Sequence, residues 1–269
     1  MSGNDLTTKE LSKMKLNHTR GFDFGTNVKD IKVPDILRKR VKCGVDYLDE
    51  AFGGQGLTPS QVTMFTGMAG AGKTTMMLTF CNGLVGKGAE VVFNTCEENL
   101  YQVKMHAERL GLRNGFRLGE ESHVPTLLEK CDNLRKQNPE KPFILVLDSL
   151  QTMNDGYFAN GATNGRTPER VLEMVTNWCK ENNTIAIVIG QVGKGGQFLG
   201  SNVLKHMVDS MLTLTIDLKG KPETNPTYGL RILQMVKNRF GGGAVKQYLS
   251  IGKKGFTVAA VEGEVEDDE

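Results

Sequence analysis

Residues Gly67 to Thr75, GMAGAGKTT, satisfy the pattern G-x-x-x-x-G-K-[ST]. The apolar run VTMF precedes them and MMLTFCNGLV follows, so a glycine-rich loop joins a strand to a helix. In that setting the backbone N–H groups of Gly67, Met68, Ala69, Gly70, Ala71 and Gly72 can wrap a di- or triphosphate at the positive end of the helix. Lys73 can reach the outer phosphates, and the Thr74 hydroxyl, next to Thr75, can hold Mg²⁺. The chemistry implied is binding and hydrolysis of a nucleoside triphosphate.

Hydrolysis needs a metal-side acid, a base for water and a group that senses the outer phosphate. The run FILVLD (143–148) is an apolar strand ending in a carboxylate, Asp148, suited to holding Mg²⁺ opposite the phosphate loop. A second strand, 91–95, leads into Cys96-Glu97-Glu98. Glu97 is the candidate base, and Glu98 is expected to cap the next helix at its positive end; a shift of one residue exchanges their roles. A third strand, 184–190, leads to Gln191, a neutral donor and acceptor able to sense the γ-phosphate and report to the loop behind it.

The elements that must position these groups alternate. Apolar patterning predicts strands 62–66, 91–95, 143–148 and 184–190, and helices 74–85, 100–110, 126–136 and 168–181. Short strands that are apolar throughout belong to a sheet covered on both faces, an α/β doubly wound, mainly parallel sheet. Strand-like runs 210–217, 228–237, 246–250 and 256–260 predict an antiparallel C-terminal extension. Two long polar, glycine-rich loops, 152–167 and 192–202, follow apolar strands on the side where open α/β sheets place ligands. The expected organisation is a flexible N-terminal arm over 1–35 that can dock on a neighbouring subunit, a core over 36–260 and an acidic tail over 261–269.

Five dispersed cysteines without a C-x-x-C pair exclude a disulfide framework and a zinc module, and the four histidines are scattered. Mg²⁺ is the one metal implied. No apolar run of about eighteen residues and no apolar leader are present, which predicts a soluble, cytoplasmic protein without membrane contact. The net charge is +2, but the last eight residues, EGEVEDDE, hold six acids and no base, leaving +8 on the remainder. A basic body suits a polyanion; the tail competes for that surface or only solubilises the chain.

In this order the motifs resemble the RecA superfamily of P-loop ATPases, and within it the ATPase core of the bacterial RadA/Sms branch. The resemblance runs from about Arg40 to Ala260 and rests on GVDYLDEAFGG (44–54), the phosphate loop, EENLYQVKMHAERLG (97–111), LVLDSLQTM (145–153), VLKHMVDSML (203–212) and KNRFG (237–241). It implies a RecA-like fold and ATP hydrolysis in a homo-oligomer, a hexameric ring or helical filament, with nucleotide between subunits and coupled to single-stranded DNA. Other replication or recombination proteins are implied partners. A neighbour's cation then stabilises the transferring phosphoryl group, and Lys237 and Arg239 match that position; alternatively they bind DNA phosphates or make structural ion pairs.

The sequence departs from the branch at several places. It carries neither the four-cysteine zinc module nor the C-terminal protease-like domain, Gln191 stands where the branch has histidine, and Tyr101 stands where arginine is usual. Tyr101 can stack on adenine or cover its helix. A minimal core of the kind a phage or mobile element encodes fits these departures. For DNA, Lys194 among its glycines, Arg166, Arg170 and Phe198 are the candidate contacts, with Tyr157 and Phe158 as further stacking candidates. The competing readings are a RecA-type strand-exchange recombinase, a non-motor switch of the circadian-clock kind and a small-molecule kinase.

Overall fold

The computed structural model describes residues 24–191, 202–241 and 246–259. Among the described residues, nine strands form one sheet in the order β3-β2-β4-β5-β1-β6-β7-β8-β9. The strands are β1 (Val62–Gly67), β2 (Glu90–Thr95), β3 (Arg117–Gly119), β4 (Phe143–Asp148), β5 (Ile185–Gln191), β6 (Ser210–Ile216), β7 (Arg231–Asn238), β8 (Lys246–Gly252) and β9 (Gly255–Val258). The helices are α1 (Asp46–Ala51), α2 (Lys73–Gly86), α3 (Leu100–Arg109), α4 (Val124–Arg135), α5 (Thr167–Asn182) and α6 (Asn202–Met207).

Strand alternation builds two cores. Phe65, Ile144, Val146, Ile187 and Ile189 face one layer with α2 and α3. Their neighbours Met64, Leu145, Leu147, Ala186 and Val188 face the other with α4, α5 and α6. Burial on both faces explains why the central strands read as unbroken apolar runs. The doubly wound α/β fold with an antiparallel C-terminal extension is therefore present.

One expectation about that extension is corrected. β6 runs parallel to β1, with Thr63 opposite Ser210 and Gly67 opposite Leu214, and only β7, β8 and β9 are antiparallel. The connection between the end of β5 and the start of β6 includes α6 and is long enough for a parallel return. The strand expected from 228 begins at Arg231, because Thr227 and Asn225 fold back onto Asp217. Helix α1 and the three-residue β3 carry too short a pattern to read from sequence. Residues 24–33 are exposed, and the first buried residue among those described is Val41, bridged to Leu57.

Candidate functional site: the cleft at the carboxyl ends of the parallel strands

The phosphate loop needs glycine for two local reasons. A Cβ on Gly67 would lie 2.3 Å from the Leu214 carbonyl oxygen of β6, so β1 and β6 approach closely where the loop leaves the sheet. Gly72 has φ +102°, and a Cβ there would meet Phe256 and Ile251 at 2.8 and 2.9 Å. The hairpin of β8 and β9 thus packs on the loop and forms one wall of a cleft of about 510 Å³.

Helix α2 opens at Lys73, so the N–H groups of its first turn face the cleft. Lys73 Nζ donates to the carbonyls of Gly67 (2.9 Å) and Met68 (3.1 Å). Burial lowers its pKa, opposed by the charges of Asp148 and Glu97. Thr74 Oγ1 and Asp148 Oδ2 face each other at 3.5 Å. Burial, reinforced by Glu97 and then Glu98, pushes the Asp148 carboxyl up to about 7, against the relief given by Lys73 and Thr74. A hydroxyl and a buried carboxylate short of positive charge are the oxygen donors that suit Mg²⁺.

The parallel register brings the remaining groups together. Thr95 at the end of β2 lies opposite Asp148 at the end of β4, and Gly67 lies opposite Gln191 at the end of β5. Glu97, just beyond β2, accepts from the Ser149 hydroxyl and, at 2.9 Å, from Gln191 Nε2. Both donors are neutral and both reach the same oxygen, Oε1, which leaves Oε2 for a water, as a base requires. Gln191 in turn leads directly into residues 192–201.

Glu98 does not cap α3. Asn99 is the N-cap, accepting from the Gln102 N–H while the Gln102 side chain accepts from the Asn99 N–H. Asparagine followed three residues later by glutamine is a capping box, and it takes the capping role expected of Glu98. Glu98 instead pairs with His106 Nδ1 at 3.3 Å.

The cleft wall includes Gly67, Ala69, Gly70, Gly72, Lys73, Thr74, Thr75, Glu97, Asp148 and Gln191. Of the other two loop residues, Ala71 is buried and Met68 packs on the core beneath. Tyr101 is 83% exposed and lies outside the wall. Ser149, His106 and Ile251 line the cleft without having been expected there. Ser149 directly follows Asp148, a signal that sequence does carry; His106 and Ile251 reach the wall through tertiary packing alone.

Lys237 and Arg239 lie elsewhere. Lys237 is opposite Met211, which is opposite Met64 of β1; Arg239 N bonds the Asp209 carbonyl, and Asp209 N bonds the Val62 carbonyl. Arg239 is therefore level with the start of β1, and at ~3.3 Å per residue it sits roughly 16 Å along the strand from Gly67, at the opposite edge of the sheet. Lys237 Nζ donates to the carbonyls of Lys205 and Val208, both at 2.7 Å. Burial and the neighbouring Arg239 lower its pKa. Arg239 pairs with Asp209 at 3.2 Å, and so does Lys180. Asp209 also accepts from Val62 N at 3.0 Å.

The loop after β4 is tied down by its own side chains. Asn154, Asp155, Asn160 and Asn164 each accept from a backbone N–H two residues ahead. Arg170 is held inside this fold, bonded to the buried Asp155 and stacked 4.5 Å above the Tyr157 ring, which meets Phe158 edge-on. Arg166 is exposed at the N-terminus of α5. Lys194 and Phe198 lie outside the described residues. Four of the five cysteines are buried, no group of metal-binding side chains occurs among the described residues, and no helix there is long and apolar enough to cross a membrane.

Residues 41–262 match the family described as "ATPase: KaiC". The chain belongs to this family of ATPases. DNA repair protein RadA of Aquifex aeolicus is 34% identical over 76% of this chain and 42% of its own length. RadA of Mycobacterium tuberculosis H37Rv is 32% identical over 74% of this chain and 39% of its own. RadA of Streptococcus pyogenes is 28% identical over 87% and 49%. The chain thus spans two-fifths to half the length of these curated relatives. Among solved structures, an ATPase domain superposes with a TM-score of 0.70 at 14% identity, covering 82% of this chain and 91% of that one. The fold is RecA-like, the similarity to RadA stands, and the chain is a P-loop ATPase.

Proposed function

We propose that this ATPase is an oligomeric, single-stranded-DNA-stimulated motor or recombination protein, using Mg²⁺–ATP held by Lys73, Thr74 and Asp148, with Glu97 as the base. The observation that carries the reading is the separation of the cleft from Lys237 and Arg239 across the sheet of one chain. In cis these cations are too far from the phosphate loop, so a nucleotide that they touch belongs to a neighbour. Hydrolysis then depends on assembly, as a ring or a filament. The similarity to proteins named for DNA repair supports DNA as the polymer engaged, and the exposed apolar side chains of the arm, Phe24, Val28 and Val33, suit docking on an adjacent subunit. Arg166 and the loop after Gln191 are the proposed DNA contacts.

The test is ATP hydrolysis with and without single-stranded DNA across protein concentration, with Lys73→Ala as the blank. The reading expects DNA stimulation and a rate per subunit that rises cooperatively with concentration. Cooperative hydrolysis indifferent to DNA would favour the second reading, a non-motor switch, which the KaiC family match supports.

A further inference from the structure

His106 lies on α3 and lines the nucleotide cleft, whereas Glu98, to which it is paired, does not. The Glu98 Oε2 atom is buried and makes no hydrogen bond, and the His106 Nδ1 atom, 3.3 Å away, is its ionic neighbour. Through His106, which lines the cleft, the Glu98 carboxylate lies one side chain away from the site. The cleft already holds Glu97 and Asp148 against one lysine, and its ligand is itself a polyanion. A third carboxylate turned into the cleft would repel that ligand.

We propose that His106 is a positioning residue for nucleotide binding: its imidazole holds the Glu98 carboxylate behind the cleft wall and keeps that charge off the incoming phosphates. The polar neighbours on α3 are engaged elsewhere, since Asn99 and Gln102 are committed to the capping box, Lys104 pairs with Glu108 and Arg109 bonds the Lys253 carbonyl. The role belongs to the ATPase site itself and does not depend on whether DNA is the partner.

The experiment measures Kd for Mg²⁺–ADP by calorimetry on the full chain. His106→Ala is expected to weaken binding about tenfold, and His106→Ala combined with Glu98→Gln to return it to within about threefold of the parent. A purely structural role for His106 cannot produce that rescue, because removing the second side chain does not rebuild the first. Thermal unfolding of each variant separates misfolding from charge: if His106→Ala is unfolded, His106→Gln, which keeps a donor, should fold and bind like the parent. The proposal is overturned if His106→Ala binds like the parent, if Glu98→Gln leaves the loss unrelieved, or if His106→Gln fails to restore binding.

Discussion

The two edges of the sheet hold polar clusters of opposite design. At the carboxyl edge, Glu97 and Asp148 converge with a single lysine, and the Asp148 carboxyl is pushed up to about 7 by burial and its acidic neighbours. At the other edge, Lys237, Arg239 and Lys180 converge on the carbonyls of Lys205, His206 and Val208 and the buried Asp209, and each of these three cations has a partner in its own chain. The first cluster is short of positive charge and suits a cation that arrives with its polyanion. The second carries surplus positive charge in a fixed geometry, with Arg239 still 52% exposed. One chain thus presents a site short of cations at one edge and cations held in place at the other, the arrangement that the proposed completion between subunits requires.

The sharpest way to break that comparison is to separate the edges between subunits. Arg239→Ala or Lys237→Ala should lower kcat of the assembled protein by about 10³-fold or more, the scale of a cation supplied to a phosphoryl group in trans. Folding should survive Arg239→Ala, because Asp209 keeps Lys180 and Val62 N. Mixing Arg239→Ala with Lys73→Ala subunits should restore part of the activity, since one supplies an intact phosphate loop and the other an intact arginine. Two inactive variants whose mixture stays inactive would place Arg239 in a structural role only.

Glu97→Gln tests the cleft alone. It keeps the size and hydrogen bonding of the side chain but removes the base, so single-turnover hydrolysis should fall by about 10²–10⁴-fold while Mg²⁺–ADP still binds. Equal losses in rate and affinity would mean that the carboxylate organises the site without taking the proton.

Asp148 gives a smaller effect on stability with a definite sign. Its folded pKa, about 7, lies above the ordinary carboxylate value of 3.8, so between those pH values the folded state binds more protons than the unfolded one. This group therefore makes stability fall as pH rises through that window. In EDTA, Asp148→Asn should be more stable than the parent by ~1–3 kcal/mol at pH 8, allowing about 1.4 kcal/mol for each pH unit between the two values and some relaxation, and close to it near pH 4. Added Mg²⁺ should narrow the gap at pH 8 by stabilising only the parent. Denaturant unfolding of both proteins with and without Mg²⁺ gives these differences, and a gap independent of pH would remove Asp148 as the group responsible.

Much of the carboxyl edge is legible in the sequence because each of its parts is local. The phosphate loop, the acid ending FILVLD, the Glu97 step and Gln191 all follow apolar strands, and parallel pairing brings such strand ends together. What stays hidden depends on packing between distant segments. His106 and Ile251 reach the cleft only because α3 and the β8–β9 hairpin fold over the loop, and Glu98 yields its cap to Asn99 by one residue of register. The direction of β6 cannot be read from its strand pattern, which is the same for either orientation. At the other edge the motifs KNRFG and VLKHMVDSML draw attention to Lys237, Arg239 and Asp209 separately, but that Asp209 anchors the other segment is a contact between distant parts of the chain that neither motif states.

The smallest effect concerns how the cleft is linked to the rest of the molecule. Gln191 donates one of the two side-chain hydrogen bonds that hold Glu97, and the chain runs from it into residues 192–201. Gln191→Ala leaves Ser149 in place, so Glu97 stays near its position but is free to turn, and kcat should fall about tenfold, roughly 1.4 kcal/mol in the barrier. Ser149→Ala should cost a similar factor, and the double variant should lose more than the product of the two, because only then is the carboxylate unrestrained. If Gln191 also transmits the state of the loop behind it, its variant should lose the stimulation by single-stranded DNA while Ser149→Ala, which touches Glu97 from the β4 side, keeps it. Equal stimulation in both variants would confine Gln191 to orienting the base and move the link between the cleft and DNA to another element.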